Sequence, residues 1–187
     1  MDENELPHLV TLIGALRAAR TEDSIFGTVV QEDSESACGA TFFVRARTNE
    51  GTYEYDEVGT GHSVVYNPSE ASLVVVYDGE PPSRLFGHPH FPMFAPALGM
   101  FSPLDLPIWG GSADGNTVTS VRPGQPGYMR VEFGHKDDPF SPGSRGYAVI
   151  DLALGVAMEM QFQGKHFTTT NVRTLPLLRG FDREFDS

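Results

Sequence analysis

The chain has 187 residues, of which 40% are hydrophobic and 20% charged, and a formal net charge of −12. That length fits one domain, able to bury about 70% of the surface of its unfolded chain, and the composition excludes a disordered polyelectrolyte. Between residues 48 and 121 Arg84 is the only Lys or Arg, which excludes nucleic acid as a partner and an electrostatic hold on an anionic membrane, because both need phosphate neutralisation.

The start, Met1-Asp-Glu-Asn-Glu5, is acidic where a secretory leader would be basic, and no stretch is long and apolar enough for a transmembrane segment. A cytoplasmic protein is the expectation, with a trimmed exported domain as the alternative. Cys38 is the single cysteine, so neither an intrachain disulfide nor a multi-thiolate metal site is expected.

Leu6, Leu9, Val10, Leu12, Ile13 and Leu16 follow the 3.6-residue period of an amphipathic helix. Pro7 suits its first turn, and Arg17 and Arg20 suit its last. The helix is expected over about 6–20, with Leu9, Ile13 and Leu16 facing a sheet. From residue 24 the period becomes two. Strands are expected at about 24–31, 40–48, 52–58, 62–66 and 72–77, as a meander with turns at Asn49-Glu50-Gly51, Asn67-Pro68-Ser69 and Asp78-Gly79. Alternation returns for about 117–121, 127–133, 146–152, 155–163 and 165–175. Between the two runs, residues 86–109 hold five prolines and eleven large apolar side chains. Proline forbids one long helix or a central strand there. Short helical turns near 93–100 and 102–107 are expected instead.

The reading is an α+β fold in a single domain, 1–187. One large antiparallel sheet of nine or ten strands, over about 24–77 and 117–175, is covered by an N-terminal helix and a Pro-rich apolar cap at 86–109. The order resembles the LolA-like, or LppX-like, bacterial lipoprotein-carrier fold, actinobacterial members included. The resemblance spans nearly the whole chain. It rests on the opening helix, on Phe26-Gly27-Thr28-Val29-Val30-Gln31, on Tyr77-Asp78-Gly79 before the insert, on Val149-Ile-Asp-Leu-Ala-Leu-Gly-Val156 and on the closing Gly180-Phe181-Asp182-Arg183-Glu184-Phe185. It implies a strongly curved sheet, an open half-barrel, whose concave face wraps helices and encloses a cavity for acyl chains. Carriers of this family work outside the cytoplasm.

No recognisable catalytic constellation stands in the sequence. His88-Pro89-His90, with His62, His135 or His166, is the most metal-like feature, but no cysteine or clustered carboxylate accompanies it. Asp137-Asp138 with Glu132 lacks the spacing of a calcium loop. Ser112, Ser141 and Ser144 sit near glycines without forming a Gly-x-Ser-x-Gly elbow. Glu32, Asp33 and Glu35 would make Cys38 a poor nucleophile. The run 110–115 has no lysine to complete a phosphate cradle. No enzyme, metal or other cofactor is expected.

The expected function is therefore non-catalytic binding of an acyl chain, lipid or other apolar small molecule between sheet and cap. Phe91, Phe94, Met100, Phe101 and Trp109 would supply the cap side. Phe42, Val44, Val131, Met158 and Met160 would supply the sheet side, with Phe162 sharing the parity of Met158 and Met160. The methionines and aromatics would give a surface that reshapes around its ligand. The alternative is a protein-interaction module with a filled core, whose acidic face from Glu50 to Asp78 meets a basic partner not identifiable from sequence.

Overall fold

The computed structural model describes residues 3–19, 23–33, 39–87, 95–106, 108–109 and 115–175. A 3-10 turn at Glu3–Glu5 leads into α1 (Leu6–Ala18), which carries proline in its first turn and Arg17 in its last. Leu12 and Leu16 are 0% and 3% exposed, and Leu9 packs beside them. The buried stripe is therefore Leu9, Leu12 and Leu16, spaced by three and four residues. Ile13, expected on this stripe, is only half-buried. One residue is 100° of helix, which is enough to turn Ile13 to the flank of a narrow contact.

Eleven strands form one sheet: β1 (Ser24–Asp33), β2 (Gly39–Arg47), β3 (Thr52–Glu57), β4 (His62–Asn67), β5 (Ser72–Val76), β6 (Ser83–Phe86), β7 (Asn116–Pro123), β8 (Tyr128–His135), β9 (Gly146–Asp151), β10 (Val156–Phe162) and β11 (Lys165–Leu175). Their spatial order is β6-β5-β4-β3-β2-β1-β11-β10-β9-β8-β7, antiparallel throughout. Two meanders thus meet where the first strand pairs with the last, Ser24 opposite Leu175 and Asp33 opposite Lys165. The sheet is an open half-barrel, with β6 and β7 as its two edges.

Ten of these strands lie where alternation placed them. β6 is additional: Phe86, expected to open the cap, instead pairs with Ser72 on the edge. This strand has four residues, all exposed, between Pro81-Pro82 and Gly87. Nothing is buried on either of its faces, so no periodicity marks it in the sequence.

Parity assigns the faces. Val44 and Ala46 on β2, Tyr53 on β3, Val64 and Tyr66 on β4, and Leu73 on β5 point inward, none more than 6% exposed. Val121, Val131, Phe133, Ala148, Ile150, Met160 and Phe167 do the same in the second meander. Against this inner face lies the cap, with a short helix α2 (Pro96–Gly99) and a 3-10 turn at Pro103–Asp105. Leu98, Met100, Phe101 and Ile108 are completely buried.

Two backbone features seat the cap. A Cβ on Gly27 would come within 2.7 Å of the Phe101 ring, so only glycine lets that ring rest on β1. In β10 the pairing with β9 shifts between Ala157 and Glu159. This bulge frees the Ala157 amide to donate to the Met100 carbonyl at 2.7 Å, while the Ala157 carbonyl accepts from the Thr169 hydroxyl at 2.8 Å. No helix among the described residues is long and apolar enough to cross a membrane.

Candidate functional site

The inner face divides into two ends. At one end lie α1 and the turns that join β2 to β3 and β9 to β10. This end is filled. The space between Leu16, Ile25, Thr48, Phe101, Leu104 and Gly155 amounts to about 10 Å³, roughly one water's worth. Val44, Met100, Phe101 and Met160, four of the side chains expected to hold a ligand, are 0–2% exposed and belong to the packed core. Trp109 is half-buried and donates its indole N–H to the Pro103 carbonyl at 2.8 Å, which fastens the cap to itself. Met158 sits in the β10 bulge, half-buried against the core. Phe42 is half-buried and meets the Tyr55 ring edge-on at 5.6 Å. Phe91 and Phe94, like His88, His90 and Cys38, lie outside the described residues.

The other end carries the β10–β11 hairpin and the β8–β9 loop, and it is open. There a groove of about 750 Å³ continues the inner face beyond the cap. Its floor is aromatic: Phe133, Phe162 and Phe167, each no more than 7% exposed as a residue. The Phe133 and Phe162 rings lie 6.0 Å apart at 52°. Gly146 makes that arrangement possible, since a Cβ there would approach Phe133 to 2.5 Å. Pro96, the first residue of α2, forms the cap side of the groove.

The rim of the groove is polar. Gln31, Asn116, His135, Ser144, Arg145 and Lys165 line it, and among the described residues no Asp or Glu does. In a chain of net charge −12 this is a local reversal of sign. Arg145 lies 5.9 Å from the Phe140 ring. His135 faces Asp137 at 3.6 Å, and Asp33 stands opposite Lys165 in the β1–β11 pairing.

Two further polar groupings stay apart from the groove. On the inner face of the first meander, His62 stacks on Tyr77 at 4.7 Å, meets Tyr55 edge-on at 5.5 Å and contacts Glu57 at 3.3 Å. Burial, with Glu57 and then Tyr77 adding to it, pushes the Tyr55 phenol up to about 12. On the outer face a ladder crosses the second meander. Arg122 and Arg130 hold Glu132, Arg130 also covers the Tyr147 ring at 3.8 Å, and Tyr147 donates to Glu159. His166 meets both Glu159, at 3.1 Å, and Glu32, at 3.8 Å. The hydrogen bonds from Tyr147 and His166 hold the Glu159 carboxyl below its ordinary value. Glu132 is thus committed to arginines and is not paired with Asp137-Asp138. Among the described residues no group of three His, Cys, Asp or Glu side chains converges as metal ligands would.

The sequence reading gathered its candidates over what is packed core, and it did not single out Phe133, Phe167, Arg145 or Lys165, which come together at the groove. A signal existed. The two-residue turn Gln163-Gly164, with φ of +50° and +74°, pairs Phe162 with Lys165 and Met160 with Phe167. Register thus carries the aromatic face of β10 onto β11 and sets a lysine at its end. Arg145 and Gly146 carried no comparable signal, because their role depends on where the Phe133 ring lies.

Neither a protein-family model nor a curated protein matches the sequence. Solved structures do. An uncharacterized conserved protein from Thermus thermophilus superposes with a TM-score of 0.54 at 8% identity, over 89% of this chain and 87% of that one. A LolA superfamily protein from Nitrosomonas europaea matches at a TM-score of 0.37 and 9% identity, over 89% of this chain and 94% of that one. The Thermus likeness shows a shared fold. That fold is one open, curved antiparallel sheet with a helix and an apolar cap on its inner face.

Proposed function

We propose that the protein binds an apolar ligand of acyl-chain type without catalysing its conversion, in the groove where the curved sheet extends past the cap. The observation that carries this reading is the groove itself, about 750 Å³ over Phe133, Phe162 and Phe167. Ligand sites typically measure about 300–1,000 Å³ and rely on apolar walls with a few placed polar groups. Native mass spectrometry of protein purified from cells, with titration by saturated fatty acids of increasing length, tests it. A Gln31→Trp variant fills the groove from β1, where Gln31 is only half-buried. Adduct masses in the parent protein that fall at least about tenfold in this variant support the reading, since tenfold is about 1.4 kcal/mol of binding. Adducts that persist undiminished place the ligand elsewhere.

A second reading, a protein-interaction module with a filled core, draws on the packed end of the inner face and on edge strand β6. Leu85 and Phe86 there are 47% and 67% exposed on a strand that is an edge among the described residues. A clean apo mass together with no fatty-acid adduct favours it.

A further inference from the structure

We propose that the groove selects amphiphiles with an anionic head, a carboxylate or a phosphate, bound at the rim by Lys165 and Arg145 while the tail lies on Phe133, Phe162 and Phe167. This rests on the groove being the apolar-ligand site and adds the class of ligand that it takes.

Five strand arginines are paired within 4 Å: Arg45 with Glu54, Arg47 with Glu50, Arg84 with Glu70, and Arg122 and Arg130 with Glu132; Arg173 on β11 is not among these pairs and does not line the groove. Arg145 and Lys165 have no carboxylate at that distance among the described residues, and both line the groove. Each is fixed by its neighbours. Lys165 follows the tight Gln163-Gly164 turn and pairs across β10 with Phe162. Arg145 precedes Gly146, which lies opposite Phe133, and packs toward Phe140. Both charges therefore stand at the edge of the same aromatic floor.

An anion here would gain charge-assisted hydrogen bonds from both cations. The long-range field opposes it, because the whole chain carries −12, so discrimination must come from these local donors. Asp33 stands opposite Lys165 in the β1–β11 pairing, and Asp137 lies beside His135 on the rim. They compete for the cations and set a limit on the preference. A neutral head would gain nothing from Lys165 or Arg145 beyond an ordinary hydrogen bond.

Isothermal titration at pH 8 should compare three ligands of one chain length: a fatty acid, an alkyl phosphate and a fatty alcohol. The acid or the phosphate, or both, should bind the parent protein at least about tenfold more tightly than the alcohol, a difference of about 1.4 kcal/mol. Whichever of the two binds better identifies the head. In a Lys165→Gln/Arg145→Gln variant the preference should fall below about threefold, through a loss of acid or phosphate affinity larger than any change for the alcohol. Both side chains are exposed, and an unchanged thermal midpoint establishes that the variant is folded. In the parent protein, raising the salt concentration should shrink the preference as well. Binding of both the acid and the phosphate no tighter than that of the alcohol overturns the head-group assignment but leaves apolar binding intact. A preference that survives in the variant overturns the role of Lys165 and Arg145. Binding by none of the three overturns both this inference and the reading beneath it.

Discussion

Glu159 shows how a single residue can do work that its position in the chain does not announce. Alternation predicts an outward-facing, solvated side chain on β10, and the residue does face outward. Its partners come from two other strands, Tyr147 on β9 and His166 on β11, and pairing across a sheet is invisible until the register is known. The carboxyl is held low, chiefly by the Tyr147 hydroxyl and then by His166. A group with a depressed folded-state pKa contributes stability that is complete above its unfolded value and is lost as pH falls through its folded value. The Tyr147 phenol is raised, largely by the same hydrogen bond, so its share is complete below the ordinary tyrosine value near 10 and is lost as pH rises past it. Glu159 is about 41% exposed, which keeps the effect small through solvent screening. Thermal midpoints measured from pH 3 to pH 7 should fall more steeply at the acid end in the parent protein than in Glu159→Gln. Parallel curves would mean that the Tyr147–Glu159–His166 link adds nothing to stability.

At the scale of elements, α1 offers the cleanest contrast between pattern and packing. Six apolar residues at helical spacing make the helix legible, yet they span more of its circumference than the contact uses. The structure spends Leu12 and Leu16 on the core, leaves Val10 64% exposed and sets Ile13 at the margin. The sequence could not choose between neighbours because the choice is made by the other surface. Part of that surface is the β9–β10 turn, where a Cβ on Gly155 would come within 2.5 Å of the Ala19 Cβ. Leu12→Ala should therefore cost about 2–5 kcal/mol and Ile13→Ala distinctly less, because a cavity is opened only where the side chain is enclosed. Urea denaturation of both variants checks this, and equal losses would contradict the assigned face. The same reasoning explains the strands. Ten of them announce themselves by burying one face, and the one that buries neither face, β6, does not.

For the whole molecule the decisive question is whether the cap is a lid, and magnitudes answer it. Detaching the cap would expose Leu98, Met100, Phe101 and Ile108, all completely buried. At about 1.5–3 kcal/mol for each large side chain returned to water, that costs roughly 6–12 kcal/mol. An entire domain is stable by only about 5–15 kcal/mol. Lifting the cap is thus comparable to unfolding the protein, so a ligand in the proposed groove would enter beside the cap without passing under it. The sequence showed an apolar, proline-broken insert over a sheet, but proline content speaks to regular structure and not to how firmly a segment is packed. Gly27 and the Ala157 bulge, which seat the insert, become meaningful only once Phe101 and Met100 lie over them. The Ala157 amide offers a direct test, because its hydrogen bond runs to the Met100 carbonyl of the cap and not into the strand ladder. Its hydrogen exchange requires the cap to leave. Native-state exchange should give Ala157 the same opening free energy as the Val131 amide on β8, a completely buried residue, with both equal to the global value. Titration with a fatty acid should correspondingly leave the Trp109 emission maximum in place. An Ala157 amide exchanging more than about a hundredfold faster than Val131, a difference of about 2.8 kcal/mol, would make the cap a separate opening unit and return the ligand to the space beneath it.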